Sequence, residues 1–207
     1  MLSFFTNFLI LVSVILPILY FIGFSKFGKA YKVFTLYLLF IAIVQGLLFY
    51  YATRKIDNLF LFSYYFIGQF LLVSLFYFFL LKKKWIGWLV GAVVVTLIVQ
   101  YVLSPESYEY YNGLGVSITQ TVIVIYALFY YFKSLSGKAT FLLVNTGVLL
   151  YFLTSLLFFA SGNLILSLGL SKEIQLQIGL INEFAYFIFL ILIFLEWYRN
   201  YRPKKAY

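Results

Sequence analysis

The chain has 207 residues, of which 65% are hydrophobic, 24% aromatic and only 10% charged. A soluble domain carries about half apolar and a quarter charged residues, so this composition excludes one, and spans of about 20 residues each leave no space for a soluble catalytic domain beside them. Cys and His are absent, and the net charge of +9 comes from Lys and Arg set at the ends of apolar stretches, so neither a metal, a cofactor nor nucleic acid is expected.

In chain order, the first apolar stretch covers 3–23. Met1 to Asn7 carry no Lys or Arg and no small-residue cleavage pattern follows, so this stretch is expected to be a permanent helix, kinked at Pro17. Charges and turn formers then separate stretches at 31–52, 58–81, 85–103, 114–133, 139–161 and 176–198. Each is long enough to cross a bilayer with modest tilt, and none alternates as a barrel strand would. The connections are short, which predicts that consecutive helices are antiparallel neighbours. The expected fold class is all-α: a polytopic seven-transmembrane-helix bundle forming one domain over 1–207.

Orientation follows from counting basic residues near span ends, because these are retained in the cytoplasm. One side holds 12 Lys and Arg, in the first, third and fifth loops and the tail; the other holds only Arg54, Lys55 and Lys172. The N-terminus is therefore expected outside and the C-terminus in the cytoplasm, with the chain in a bacterial inner membrane. The basic excess is read as topology plus attraction to anionic headgroups. Tyr50 and Tyr51, Trp85 and Trp88, Tyr130 and Tyr131, and Trp197 and Tyr198 read as interfacial anchors.

A shift of 109 residues sets Gly28, Lys29 and Ala30 on Gly137, Lys138 and Ala139, and Leu47, Leu48 and Phe49 on Leu156, Leu157 and Phe158. The same shift places the first span on the fifth. It suggests a parallel 3+1+3 duplication, an architecture in which transporters carry midplane substrate sites.

Polar side chains inside the spans carry most of the functional signal, since each must avoid lipid and find a partner. Counting about 1.5 Å per residue sets Gln45 and Gln69 near midplane, with Gln100, Gln120, Asn182 and Glu183 in the outer half and Asn145 nearer the inner side. Two readings compete. The amides are either glue between helices, or the lining of a polar pocket open to the outside, with Tyr65 one turn from Gln69 and Thr121 beside Gln120 as further lining. Glu183 stands apart: a carboxyl about 12 Å below the surface, with no Lys or Arg at its depth, must be protonated or hydrated, and can hold a cation, a proton or a hydrogen-bonding ligand. The candidate ligand-binding residues are Glu183, Asn182, Gln69, Gln45, Gln120, Gln100 and Tyr65. Gly46, Gly68, Gly147 and Ala160 are expected where helices approach closely, and the loop 104–113, with its Tyr108-Glu109-Tyr110-Tyr111 run, is read as interfacial.

Several chemistries lack their residues. Proteolysis inside the membrane needs a Ser with His, a carboxylate pair or a metal, and only Glu183 is acidic within the apolar zone, with Glu196 at its inner end. A retinal pigment needs a buried Lys, and 175–198 has none. No glycine-rich phosphate cradle occurs in the loops. No catalytic residue is assigned, and a lipid-modifying enzyme ranks below the other readings.

Asn58 to Lys84, with Tyr64 and Tyr65, Gln69 and Phe76-Tyr77, and Phe141 to Asn163, with Asn145, Gly147, Tyr151 and Phe158-Phe159, resemble a family of small bacterial seven-helix membrane proteins. A similar unit serves as the membrane half of some sensor histidine kinases, so the resemblance implies a sensor that passes a signal to a cytoplasmic domain. This chain departs from it in ending at Tyr207 after a short basic tail, and in having Gln69 where the family often has an acid. The expected function is a non-enzymatic receptor-like sensor or accessory subunit. Its partners would be the lipid bilayer, a second membrane protein or further copies of itself, and a small apolar or lipid ligand. The alternative is a small-solute or ion transporter.

Overall fold

A computed structural model describes residues 2–105, 112–137, 139–160 and 172–203. Seven helices account for nearly all of them: α1 (Leu2–Phe21), α2 (Lys29–Thr53), α3 (Leu59–Leu81), α4 (Trp85–Leu103), α5 (Gly113–Ser134), α6 (Leu142–Ala160) and α7 (Lys172–Asn200), with no strand among the described residues. All seven are long and apolar enough to cross a membrane. The chain is a multi-pass membrane protein. Two boundaries differ from expectation for local reasons. Phe141 takes a left-handed φ of 62°, which a helix cannot continue through, so α6 starts at Leu142 rather than 139. At the other junction Lys172, Glu173 and Gln175 are good helix formers, and α7 starts at Lys172 although its first turns are too polar to count as apolar span.

Helix contacts run α1–α2–α3–α5–α6–α7 and close through α7 against α1, so six helices form a ring. The short loops led us to expect every consecutive pair to pack; α4 breaks that pattern, touching α3 and α5 only sparsely. Its buried residues are Ile86, Val93 and Leu97, a stripe one side chain wide, whereas α5 buries residues around most of its circumference. A 370 Å³ cleft bordered by Leu71, Ser74, Leu75, Phe78, Ile86, Gly87 and Val90 separates α3 from α4. With α4 set aside as a crossover, α5 restarts in the direction of α1, so α3–α5 and α7–α1 are parallel neighbours in the ring.

Side-chain contacts fix which ends meet. At the lysine-rich end, Lys133 Nζ of α5 donates to the Leu80 carbonyl of α3 at 2.5 Å, and Tyr201 packs its ring 4.7 Å from Tyr31 and 5.0 Å from Phe141, centre to centre. Burial, then the Glu196 carboxylate, push the Tyr201 phenol above its ordinary range. At the opposite end Thr6 of α1 meets Glu183 of α7, and Gln100 of α4 meets Asn112 before α5.

Small residues do part of the expected work. A Cβ on Gly68 would stand 2.3 Å from Phe40, and one on Gly147 2.5 Å from Phe189, so both permit close helix approach. Gly46 does not: nothing lies within 4 Å of its Cβ direction. Ala160's side chain, Lys138 and the loop run 106–111 lie outside the described residues. Of the proposed interfacial aromatics, Tyr50, Trp88 and Tyr198 are exposed, but Tyr130 and Trp197 turn inward.

Candidate functional site

The site grows from the residue pair Asn182-Glu183, about three turns inside α7. Glu183 Oε1 accepts a hydrogen bond from the Thr6 hydroxyl of α1 at 3.3 Å. Its Oε2 and the Asn182 Oδ1 are both buried with no hydrogen-bond partner among the described residues. Both border a cavity of about 200 Å³ lined by Thr6, Leu9 and Ile10 of α1, Gln45 of α2, Tyr151 of α6, and Asn182, Glu183 and Tyr186 of α7. Among the described residues no Lys or Arg lines it. The Tyr186 hydroxyl is likewise buried without a partner among the described residues, so three polar atoms of one cavity are unsatisfied, and each such group costs about 1–3 kcal/mol.

The far wall is built by packing. Gly147 lets Phe189 sit against α6, and Phe189 stacks on Tyr151 with centroids 5.6 Å apart and planes 11° from parallel. Tyr151 is thereby aimed with its hydroxyl 3.5 Å from that of Tyr65. Tyr65 accepts from Gln69 Nε2 at 3.2 Å, and the same amide donates to Tyr37 of α2 at 3.3 Å. Gly68, next to Gln69, makes that reach across to α2 short. A polar chain therefore runs from the cavity through Tyr151 and Tyr65 to Gln69 and Tyr37.

No family model, curated protein or solved structure matches this chain. The site's chemistry therefore rests on its own geometry.

Of the residues singled out from sequence, Asn182, Glu183 and Gln45 line one cavity, and Tyr65 and Gln69 join it through Tyr151. Gln120 and Gln100 stand elsewhere. Gln120 Nε2 donates to Ser155 Oγ at 2.9 Å, tying α5 to α6. Gln100 Nε2 donates to Asn112 Oδ1 at 2.8 Å, and that oxygen also accepts the Gly115 amide, capping α5. Both act as glue between helices. Thr121 returns its hydroxyl to Ser117 O at 2.7 Å on an exposed face, and lines nothing polar.

Three residues of the cavity escaped sequence reasoning. Tyr186 lies three and four positions after Glu183 and Asn182, so helical spacing alone could have found it. Tyr151 and Thr6 gave no such signal, because they arrive from other helices. Glu196 was read only as the inner end of its span, yet it is fully buried. Its oxygens accept the amides of Phe141 at 3.1 Å and Leu143 at 2.9 Å, and Asn200 Nδ2 at 2.6 Å. A carboxylate on α7 thus caps α6, where the helix dipole favours negative charge.

Proposed function

We propose that this chain is a non-enzymatic, receptor-like membrane module that holds a small amphiphile by its polar head in the cavity between α1, α2, α6 and α7. The observation that carries this is the pair of buried acceptors without a partner among the described residues, Glu183 Oε2 and Asn182 Oδ1, beside the likewise unpartnered Tyr186 hydroxyl, in a cavity that no described Lys or Arg lines. Such a pair selects a donor, either a hydroxyl or an ammonium, and disfavours an anion. Along the same α1–α7 seam runs a groove of about 350 Å³ with a wholly apolar lining that includes Phe8, Val12, Leu16, Phe187 and Ile191. Val12 of the groove stands one helical turn from Leu9 of the cavity, and Leu190 one turn from Tyr186, so a ligand with its head at Glu183 has room for an alkyl chain along the same helix faces. With the basic end in the cytoplasm, the head enters from the outer leaflet, and the output goes to a partner membrane protein at the basic end, as the resemblance to sensor modules implies.

Native mass spectrometry on the full chain purified in mild detergent tests this. The expected result is a bound amphiphile with an amino or hydroxyl head that Glu183→Gln and Asn182→Leu both lose. A wild-type chain free of any such species, or variants that keep it, sinks the reading.

A transport reading is favoured by one separate observation: the ring is composed of two three-helix halves with α4 outside, and contacts within and between the halves repeat in the order a 3+1+3 duplication requires. It expects uptake of a cationic solute into proteoliposomes that Glu183→Gln abolishes.

A further inference from the structure

We propose that the cavity at the lysine-rich end of the bundle is a binding site for a phosphate group, whether carried by a lipid headgroup or free in solution. It lies at the other end of the helices from Glu183 and does not depend on how that site is read. With a volume of about 670 Å³, it falls within the range of about 300–1,000 Å³ typical of small-ligand sites. The start of α2, the ends of α3 and α5, and the segment leading to α6 converge on it.

Three ammonium-bearing side chains line this space: Lys29, Lys82 and Lys133. Two of them are held at the wall. Lys133 Nζ donates to the carbonyls of Leu80 and Leu81 at 2.5 and 3.4 Å, and Lys29 Nζ stands 5.7 Å over the Phe79 ring. Among the described residues no carboxylate lines the cavity. The acid nearest in sequence to this end, Glu196, is fully engaged as the α6 cap. Like charges gathered around one space without a counter-charge repel one another, and an anion between them reverses the sign of that interaction.

The neutral donors fit the same ligand. Ser136 and Thr140 line the cavity with the lysines. Gly28 starts α2 with no side-chain cap, leaving first-turn N–H groups for an acceptor, the arrangement that holds phosphate at helix starts. The repeated triplet meets here as well: Gly28-Lys29-Ala30 lines one wall, and Gly137 and Ala139 of the second copy line another. By contrast, Lys26, Lys32, Lys83 and Lys84 stand at the same end and do not line the cavity. Retaining this end on one side of the membrane needs only charge near the span ends, which those four residues supply. The cavity lysines therefore have a second role.

The test uses the full chain in two settings: nanodiscs of zwitterionic lipid with or without phosphatidate, and detergent solution titrated with inorganic phosphate. Bound phosphatidate is read by native mass spectrometry and phosphate binding by calorimetry. Wild-type is expected to retain phosphatidate, and Lys29→Gln/Lys82→Gln to weaken retention by about tenfold or more, since each charge-assisted hydrogen bond contributes about that factor. Lys26→Gln/Lys83→Gln, which removes the same charge outside the cavity, is expected to keep wild-type retention. Lys133 is left intact in both because it also caps α3. Calorimetric binding of inorganic phosphate assigns the free anion as sufficient, whereas retention of phosphatidate alone assigns the headgroup. Equal losses in the two double variants, with melting temperatures unchanged, or no binding in either setting, overturn the proposal.

Discussion

Two of the three carboxyls of helix α7, Glu183 and Glu196, stand thirteen positions apart, and they are treated in opposite ways. Glu196 is surrounded by donors: two backbone amides and the Asn200 side chain occupy its two oxygens. Glu183 receives one hydroxyl, and its second oxygen faces a cavity without a partner. A carboxyl with both oxygens committed holds the fold together. One left half-committed in a space that could hold a ligand is what we propose as the recognition group, because the fold alone gives no return for burying it. The amides divide less sharply: Gln100 pairs with Asn112, Gln120 bonds Ser155 but leaves its Oε1 without a partner among the described residues, and Asn182 keeps its oxygen toward the cavity.

The sharpest way to break this comparison is at Glu196. Glu196→Ala leaves two amides at the start of α6 and one side-chain amide without an acceptor, and is expected to cost about 3–5 kcal/mol. Thermal unfolding in detergent should show a large drop in Tm, and loss of the α6 start should appear as fast amide exchange at Leu143. A loss below about 1 kcal/mol would show that the cap does not hold the α6 start, since a single ordinary hydrogen bond contributes that much. Next in size is Tyr77→Phe. The Tyr77 hydroxyl donates to Asn145 Oδ1 at 2.6 Å, while Asn145 Nδ2 reaches the Ala127 carbonyl at 3.2 Å, so one buried amide joins α3, α5 and α6. Removing the hydroxyl leaves Asn145 Oδ1 unsatisfied and is expected to cost about 1–3 kcal/mol. Tyr77→Phe that melts with wild-type would show that the amide finds another donor.

How much of this was legible in the chain follows from what each feature depends on. Seven apolar stretches cut by charges reveal seven helices, because span length is set by the bilayer and not by neighbours. The intramembrane acid and amides could be picked out for the same reason: their type is anomalous wherever they end up. Which partners they find is a property of the ring, and the ring is decided by burial stripes that sequence shows poorly when both faces are apolar. In lipid a helix can be hydrophobic all round, so the pattern that would have set α4 outside is weak. Hence Gln100 and Gln120 read as equals of Gln69, and the α6 cap was missed, since the φ of Phe141 and the reach of Glu196 have no local mark.

A smaller effect is expected at Gln120. Its Nε2 bonds Ser155, but its Oε1 is buried without a partner, so Gln120→Leu gives up one hydrogen bond and relieves one unsatisfied acceptor. The two nearly offset, and intramembrane bonds average about 0.6 kcal/mol, so unfolding should move by no more than about 1 kcal/mol and ligand retention not at all. Retention that falls with Gln120→Leu would place Gln120 in the recognition set after all.

The smallest expected change in stability belongs to the residue given the largest functional part. Glu183→Gln keeps an oxygen for the Thr6 hydroxyl, and its new amide faces the cavity that the unpartnered Asn182 oxygen also borders, so the fold is expected to shift by less than about 0.5 kcal/mol, the range of substitutions that break no buried network. The cavity, however, changes from two acceptors into an acceptor and a donor, which opposes the N–H groups of an ammonium head and leaves a hydroxyl head one acceptor fewer. The variant should therefore melt with wild-type and lose its bound amphiphile, whereas Glu196→Ala should lose stability first. If Glu183→Gln instead destabilises as strongly as Glu196→Ala, the two carboxyls are both structural, and the half-committed oxygen at Glu183 is part of the fold rather than an invitation to a ligand.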